Sequence, residues 1–241
     1  MNYAIALLLI GLVVLAHEWG HFIAARASGI AVSIFSIGFG PALRRFRRRG
    51  TEFRLSIIPL GGYVLPAVAS EEDYFRIPAS RRIVLSSGGL IASALFPIPC
   101  LMIAALFKPD ISLHTLLIEP FVQTTVIFSK TIASLPAVFS RGEGLSGVIG
   151  IVAQGGQFLS INPANAAYFA AVLSVNFAVL NLLPVPALDG GKILLFSLER
   201  ISARFIRLHY PLAIAGWVFI LGIFVYTIVI DLSRYAPSLR I

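Results

Sequence analysis

The sequence predicts an all-α membrane protein: four transmembrane helices, a small membrane-associated β-hairpin, and one interfacial or re-entrant helix. Composition makes the first argument, because 58% of the 241 residues are hydrophobic and only 12% are charged, far from the balance of a soluble domain. The second is the length of the apolar runs, of which four can each cross roughly 30 Å of hydrocarbon at about 1.5 Å per residue. The third is where the cations fall. A net charge of +8 would suit a nucleic-acid surface, but the arginines lie in short connections beside apolar runs, where they set membrane orientation. No nucleic-acid partner is therefore expected. A chain of this length forms one bundle, without room for a large soluble domain beside it.

The first span covers about residues 3–25. No basic segment precedes its apolar run, so a retained helix is expected rather than a cleaved signal peptide. The connection 26–82 carries Arg26, Arg44, Arg45, Arg47, Arg48, Arg49, Arg54, Arg76, Arg81 and Arg82, which places it in the cytoplasm and the N-terminus outside the cytoplasmic (inner) membrane. Within it, Thr51 to Ile58 alternates loosely between polar and apolar, and a β-hairpin is expected over about 51–64. The second span runs over about 83–107 and holds the single cysteine, Cys100, which has no disulfide partner. The apolar stretch 113–139 is interrupted by Pro120 and Pro136 and carries Glu119, Gln123 and Lys130. Spans over about 164–183 and 211–230 follow, and the connection between them carries Arg200, Arg204 and Arg207, so it too is expected on the cytoplasmic side.

The chemistry begins with His17-Glu18-Trp19-Gly20-His21. Helical residues four apart face the same way, so the imidazoles of His17 and His21 can grip one zinc ion with the Glu18 carboxylate beside them. Such pairs also arise by chance, but here the group closes an apolar run, where unpartnered polar side chains cost several kcal/mol and a metal removes that cost. Catalytic zinc takes three protein ligands and keeps a fourth position for water. Asp189 is the natural third donor, because Pro184 and Pro186 stop the preceding helix and Gly190 and Gly191 permit an irregular turn. His21 and Asp189 can share an ion only at one membrane face, so an even number of crossings must separate them. The spans 83–107 and 164–183 supply two, and a third crossing by 113–139 would part the ligands. That stretch is therefore placed on the outer side, interfacial or re-entrant, with both termini outside. His114 and His209 are expected to be no ligands, and Trp19 and Gly20 to serve packing.

Four segments together resemble one family. They are His17-Glu18-Trp19-Gly20-His21, Phe35-Ser36-Ile37-Gly38-Phe39-Gly40, the run from Gly50-Thr51-Glu52-Phe53 to Ile58-Pro59-Leu60-Gly61-Gly62-Tyr63-Val64, and Ser174-Val175-Asn176 through Asn181 to Leu188-Asp189-Gly190-Gly191. These resemble the site-2 proteases, intramembrane zinc metalloproteases, and within them the bacterial regulators that cut membrane-anchored anti-sigma factors. The resemblance implies Zn2+ bound by His17, His21 and Asp189, Glu18 as general base, and an active site toward the cytoplasmic side. Substrates would be single-span membrane proteins, anti-sigma factors or remnant signal peptides, unwound before cleavage. The extended substrate would pair with the edge of the hairpin, giving Phe53, Leu55 and Ile57 a substrate-binding role, and Asn181 would hold substrate backbone, orient its loop or cap the helix. Bacterial members of the subgroup carry PDZ domains after the second span, whereas here only about Lys108 to His114 intervenes; an accessory partner could replace them. The family's Gly-Pro-x-x-Asn reads Gly88-Gly89-Leu90-Ile91-Ala92, and its Gly-Pro-(Ile or Val) reads Gly147-Val148-Ile149. Two other readings use the same ligands: zinc storage or transport, and a competent subunit silent without its partner. Retention of Glu18 favours the enzyme, since a storage site needs no base.

Overall fold

The computed structural model describes residues 2–141, 145–159 and 164–235. Helix α1 (Asn2–Ala27) carries both histidines toward its C-terminal end and lies against α3 (Ala79–Leu95). Their contact is built on small residues. A Cβ placed on Gly20 would collide with the Gly88 carbonyl and the Ala92 methyl group, and one on Gly88 with the Gly20 carbonyl. Glycines let the two backbones touch, the usual basis of close helix packing in lipid. Helix α3 runs on through Phe96 into α4 (Pro97–Ala105), where Pro97 occupies a first-turn position that needs no N–H.

Between α1 and α3 in the chain comes an antiparallel sheet of β1 (Val32–Arg48) and β2 (Thr51–Pro66), which packs on α1. Its turn is Arg49-Gly50, with φ of 49° and 82°, the pair of positive values that a two-residue hairpin of matching twist requires. The expected hairpin over 51–64 thus describes only the second arm. Its partner is Val32–Arg48, which takes the arginine cluster into a strand. Both strands bend at glycines, Gly38 and Gly40 in one and Gly61 in the other, so that Phe53 is paired with Phe35 on one side and Phe46 on the other. This corrects the expectation that Phe53 and Leu55 lie on a free edge, because Leu55 is likewise flanked by Ile37 and Arg44. Gly62 to Leu65 pairs with Ile34 to Ile37 alone and forms one open edge, and Arg44 to Arg48, paired with Thr51 to Leu55 alone, forms the other.

Five helical segments are long and apolar enough to cross a membrane: α1, the α3–α4 pair, α6 (Glu119–Arg141), α8 (Ala164–Leu182) and α10 (Ile206–Tyr235). The expected four correspond to all but α6. That helix is continuous through Pro136, and the expected interruption there is absent. A short α5 (Leu113–Leu117) precedes it, and Glu119 is engaged by Lys108 at 2.7 Å. Helix α6 lies along α8, with Ile127 against the Cys100, Leu101, Ala170 and Ala171 cluster and Thr131 hydrogen-bonded to Asn176 at 3.2 Å.

The remaining helices are α2 (Glu71–Arg76), α7 (Val148–Leu159) and α9 (Asp189–Ile201). Arg82, read from sequence as an orienting surface charge, is fully buried and contacts Glu199 of α9 at 2.5 Å. Its guanidinium stacks over Phe75 and Phe196, which adds cation–π contacts to the ion pair. Asp231, read as a helix-end residue, is also fully buried, and its carboxylate accepts the Gly150 N–H at 2.8 Å. It ties α10 to the first turn of α7, where the helix dipole favours an anion.

Candidate metal centre

His17 and His21 follow each other by one helical turn, and Asp189 arrives from the first residue of α9. Their ligand atoms converge. His17 Nε2 lies 3.1 Å from Asp189 Oδ2, His21 Nε2 lies 3.0 Å from the same oxygen, and the two Nε2 atoms are 3.1 Å apart. Among the described residues this is the only group of three or more His, Cys, Asp or Glu side chains close enough to hold one ion. His114 and His209 lie outside it.

The histidine tautomers follow from the far side of each ring. His21 Nδ1 lies 2.8 Å from the Leu85 carbonyl, which can only accept, so Nδ1 carries the proton and Nε2 presents a lone pair. His17 Nδ1 lies 2.9 Å from Ser93 Oγ, and donation there leaves its Nε2 bare in the same way. Two lone pairs and a carboxylate oxygen then face one another in a buried space, and Asp189 Oδ2 has no hydrogen-bond partner. Such an arrangement is repulsive until a cation stands at its centre. Tetrahedral zinc, with bonds of about 2.0–2.1 Å, spaces its ligand atoms roughly 3.3 Å apart, close to the triangle found here. The donor set of two imidazoles and a carboxylate fits a catalytic zinc site that leaves one position open.

Helix α3 supplies the supports. Leu85, Gly89 and Ser93 recur every four residues and so line one face; Leu85 and Ser93 hold the two rings, and Gly89 makes room for them, since a Cβ there would collide with His21 Nε2 and His17 Cε1. Sequence reading missed these three. The four-residue spacing, matching that of the histidines, was the available signal. Asp189 is seated by its neighbours, because Cβ atoms on Gly190 and Gly191 would strike the carbonyls of Leu182 and Val185. Its second oxygen, Oδ1, faces Lys192 Nζ at 3.5 Å.

Glu18 projects beside the triangle, toward the sheet. A Cβ on Gly62 would stand 2.7 Å from Glu18 Cγ, so the open edge at Gly62 to Leu65 passes directly against this carboxylate side chain. The other residues assigned to substrate are scattered. Asn181 is buried and its amide donates to the Phe177 carbonyl of its own helix at 3.0 Å. Phe53 stacks on Phe46 with ring centres 5.0 Å apart, while Leu55 and Ile57 expose about half their surface.

The model of peptidase family M50 matches residues 5–230. Among curated relatives, "Putative zinc metalloprotease all3971" of Nostoc is 24% identical over 357 aligned positions that take in 100% of this chain and 98% of the relative. That alignment is longer than the 241 residues of this chain, so the relative holds inserted segments that this chain lacks. Protease RseP of Yersinia pestis is 43% identical over 99 residues, 37% of this chain and 22% of the relative. "Putative zinc metalloprotease" of Helicobacter pylori strain J99 is 49% identical over 72 residues, 30% of this chain and 21% of the relative.

Proposed function

The chain belongs to peptidase family M50 and is a multi-pass membrane zinc metalloendopeptidase, and from that premise we propose that it cleaves single-span membrane substrates, anti-sigma factors or remnant signal peptides, within or near the bilayer. The observation that carries the reading is the meeting of three features at one point: the His17, His21 and Asp189 triangle, the Glu18 side chain, and the unpaired strand edge at Gly62.

His17, His21 and Asp189 would hold zinc, which would supply a Lewis acid able to lower the pKa of water to about 7. Glu18 takes the proton of the attacking water and passes it to the departing amide nitrogen. A helical substrate offers no free carbonyl, so it must unwind, and its bared backbone then needs new partners. The edge Gly62 to Leu65 provides them by strand addition, bringing a peptide carbonyl past Glu18. Ile57, exposed on the sheet, meets substrate side chains, whereas Phe53 and Leu55, paired on both sides, serve the sheet itself. Asn181 acts by fixing the end of α8 that leads to Asp189.

We further assign α1, α3–α4, α8 and α10 as the spans of an inner-membrane protein, with the sheet and metal centre toward the cytoplasm. The even number of crossings that this gives between His21 and Asp189 agrees with their meeting in one site. Among the described residues, only α5 and short connections lie between α4 and α6, so any filter that excludes substrates with large outer domains comes from a partner protein.

The test is to purify wild type and Glu18→Gln, measure bound zinc in both, and incubate each with anti-sigma and signal-peptide substrates. Zinc in both and cleavage by wild type alone supports the assignment. Undiminished cleavage by Glu18→Gln would overturn the role of that residue, and failure of wild type on every substrate would favour the partner-dependent reading.

A further inference from the structure

The outer strand Arg44 to Arg48, at the edge opposite Gly62 to Leu65, carries a feature that proteolysis does not use. Strand positions 44, 46 and 48 share one face, and there Phe46 stacks on Phe53 between two exposed arginines, Arg44 and Arg48. Together with Leu15 and Trp19 of α1 they line a cavity of about 650 Å³. Leu15 and Trp19 also border a second cavity of about 630 Å³, between α1 and the α3–α4 segment and walled by Leu12, Leu95 and Phe96. One apolar furrow therefore climbs from the sheet into the spanning region. From Leu12 to Trp19 it follows roughly 10 Å of helix.

Charge closes one end of the furrow only. Arg54, also at its rim, is committed to Glu52 at 2.7 Å. Arg44 and Arg48 make no hydrogen bond or ion pair among the described residues. Two uncommitted guanidiniums above an aromatic floor that leads into the hydrocarbon match an anionic headgroup joined to acyl chains, and the planar guanidinium suits phosphate in a forked contact. The floor strand around Phe53 is hydrogen-bonded on both sides, so an extended peptide could pair only with the outer strand Arg44 to Arg48 and would leave the apolar length of the furrow below it unfilled. We propose that this furrow binds an anionic phospholipid, with its phosphate on Arg44 and Arg48 and its chains along Trp19, Leu15 and the α1–α3 cleft.

Trp19 reports on the site, since the chain has two tryptophans and Trp217→Phe leaves it alone. The full-length Trp217→Phe protein would be reconstituted in phosphatidylcholine vesicles holding a minor fraction of bromine-labelled phosphatidylglycerol or bromine-labelled phosphatidylcholine. Two surface arginines predict a preference for the anionic lipid on the order of 10-fold, seen as stronger quenching of Trp19. Arg44→Gln with Arg48→Gln should abolish the preference, while Arg45→Gln with Arg47→Gln, on the opposite face, should keep it. Equal quenching by both lipids would overturn the proposal, as would equal loss in the two double variants. Displacement of the bromolipid by an added single-span substrate segment would also overturn it, assigning the furrow to substrate. Cleavage is not read, so the outcome is independent of the proteolytic assignment.

Discussion

Ser93→Ala should weaken zinc binding without unfolding the protein. The His17 ring is held through Nδ1 by Ser93 Oγ at 2.9 Å, and both residues are buried, Ser93 completely. With zinc bound, His17 must keep its Nε2 lone pair for the metal, so the proton is forced onto Nδ1 and needs an acceptor. Without zinc the ring is free to change tautomer and escape that demand. Deleting the hydroxyl therefore penalises the metal-bound state selectively, by the cost of an unsatisfied buried donor, about 1–3 kcal/mol. At 1.4 kcal/mol per decade this is roughly 5- to 150-fold in affinity, a range that contains the 10- to 100-fold effect typical of groups that orient metal-binding histidines. Competition against a fluorescent zinc chelator in detergent measures it, beside the melting temperature of the zinc-free protein. Affinity within twofold of wild type would refute the reasoning, and so would a loss of zinc-free stability large enough to account for the whole change.

Gly89→Ala should lose bound zinc almost entirely, because its Cβ would occupy the space of both imidazoles; metal content near wild type would mean that α3 yields more than its packing on α1 implies. Glu199→Ala should lower stability by about 3–5 kcal/mol by stranding the buried Arg82 cation, read as a fall in melting temperature, and Arg82→Met with Glu199→Leu should restore much of it. Cysteines introduced at Arg48 and Ser140 should react with membrane-impermeant reagents from opposite faces; labelling from one face would overturn the four-span assignment and make α6 a crossing. Stripping zinc with a chelator should abolish cleavage, and zinc should restore it, as judged by substrate fragments on gels.

The residues that converge in the candidate metal centre were legible in the sequence because each lies in a locally determined pattern. His17 and His21 are fixed by one helical turn, and Asp189 is flagged by prolines that end a helix and glycines that follow. The long apolar helices were legible from apolar length, which is why the ends of α1 and α8 fall within a few residues of those expected. Long-range partners carried no such local mark. Arg82 in a connection looks like any orienting cation, and only the fold brings Glu199 and three aromatic rings around it. Asp231 near a chain end gives no hint that α7 will place an N–H against it. The sheet was half seen, since the turn at Arg49-Gly50 rests on a positive φ at an arginine, and an arginine-rich segment reads as loop before it reads as strand. Its bends at Gly38, Gly40 and Gly61 decide which segment becomes an edge, and alternation cannot reveal that.

The metal centre joins elements of unequal freedom. Both histidines ride on α1, and α3 locks their rings through Leu85, Gly89 and Ser93, so two of three donors are oriented before any ion arrives. Asp189 belongs to another element, and its place depends on how α9 starts against the turn that ends α8. That start is pressed onto the carbonyls of Leu182, Leu183 and Val185, at spacings that leave no space for a side chain at Gly190 or Gly191. A methyl group at either position would push the first turn of α9 outward and carry Oδ2 with it. Metal–ligand distances tolerate about 0.2 Å, whereas relieving such a contact takes considerably more. The glycine pair after Asp189 is thus required by the coordination geometry, and the same close packing explains how a single carboxylate from a distant part of the chain can complete a site whose other half is set on one helix turn.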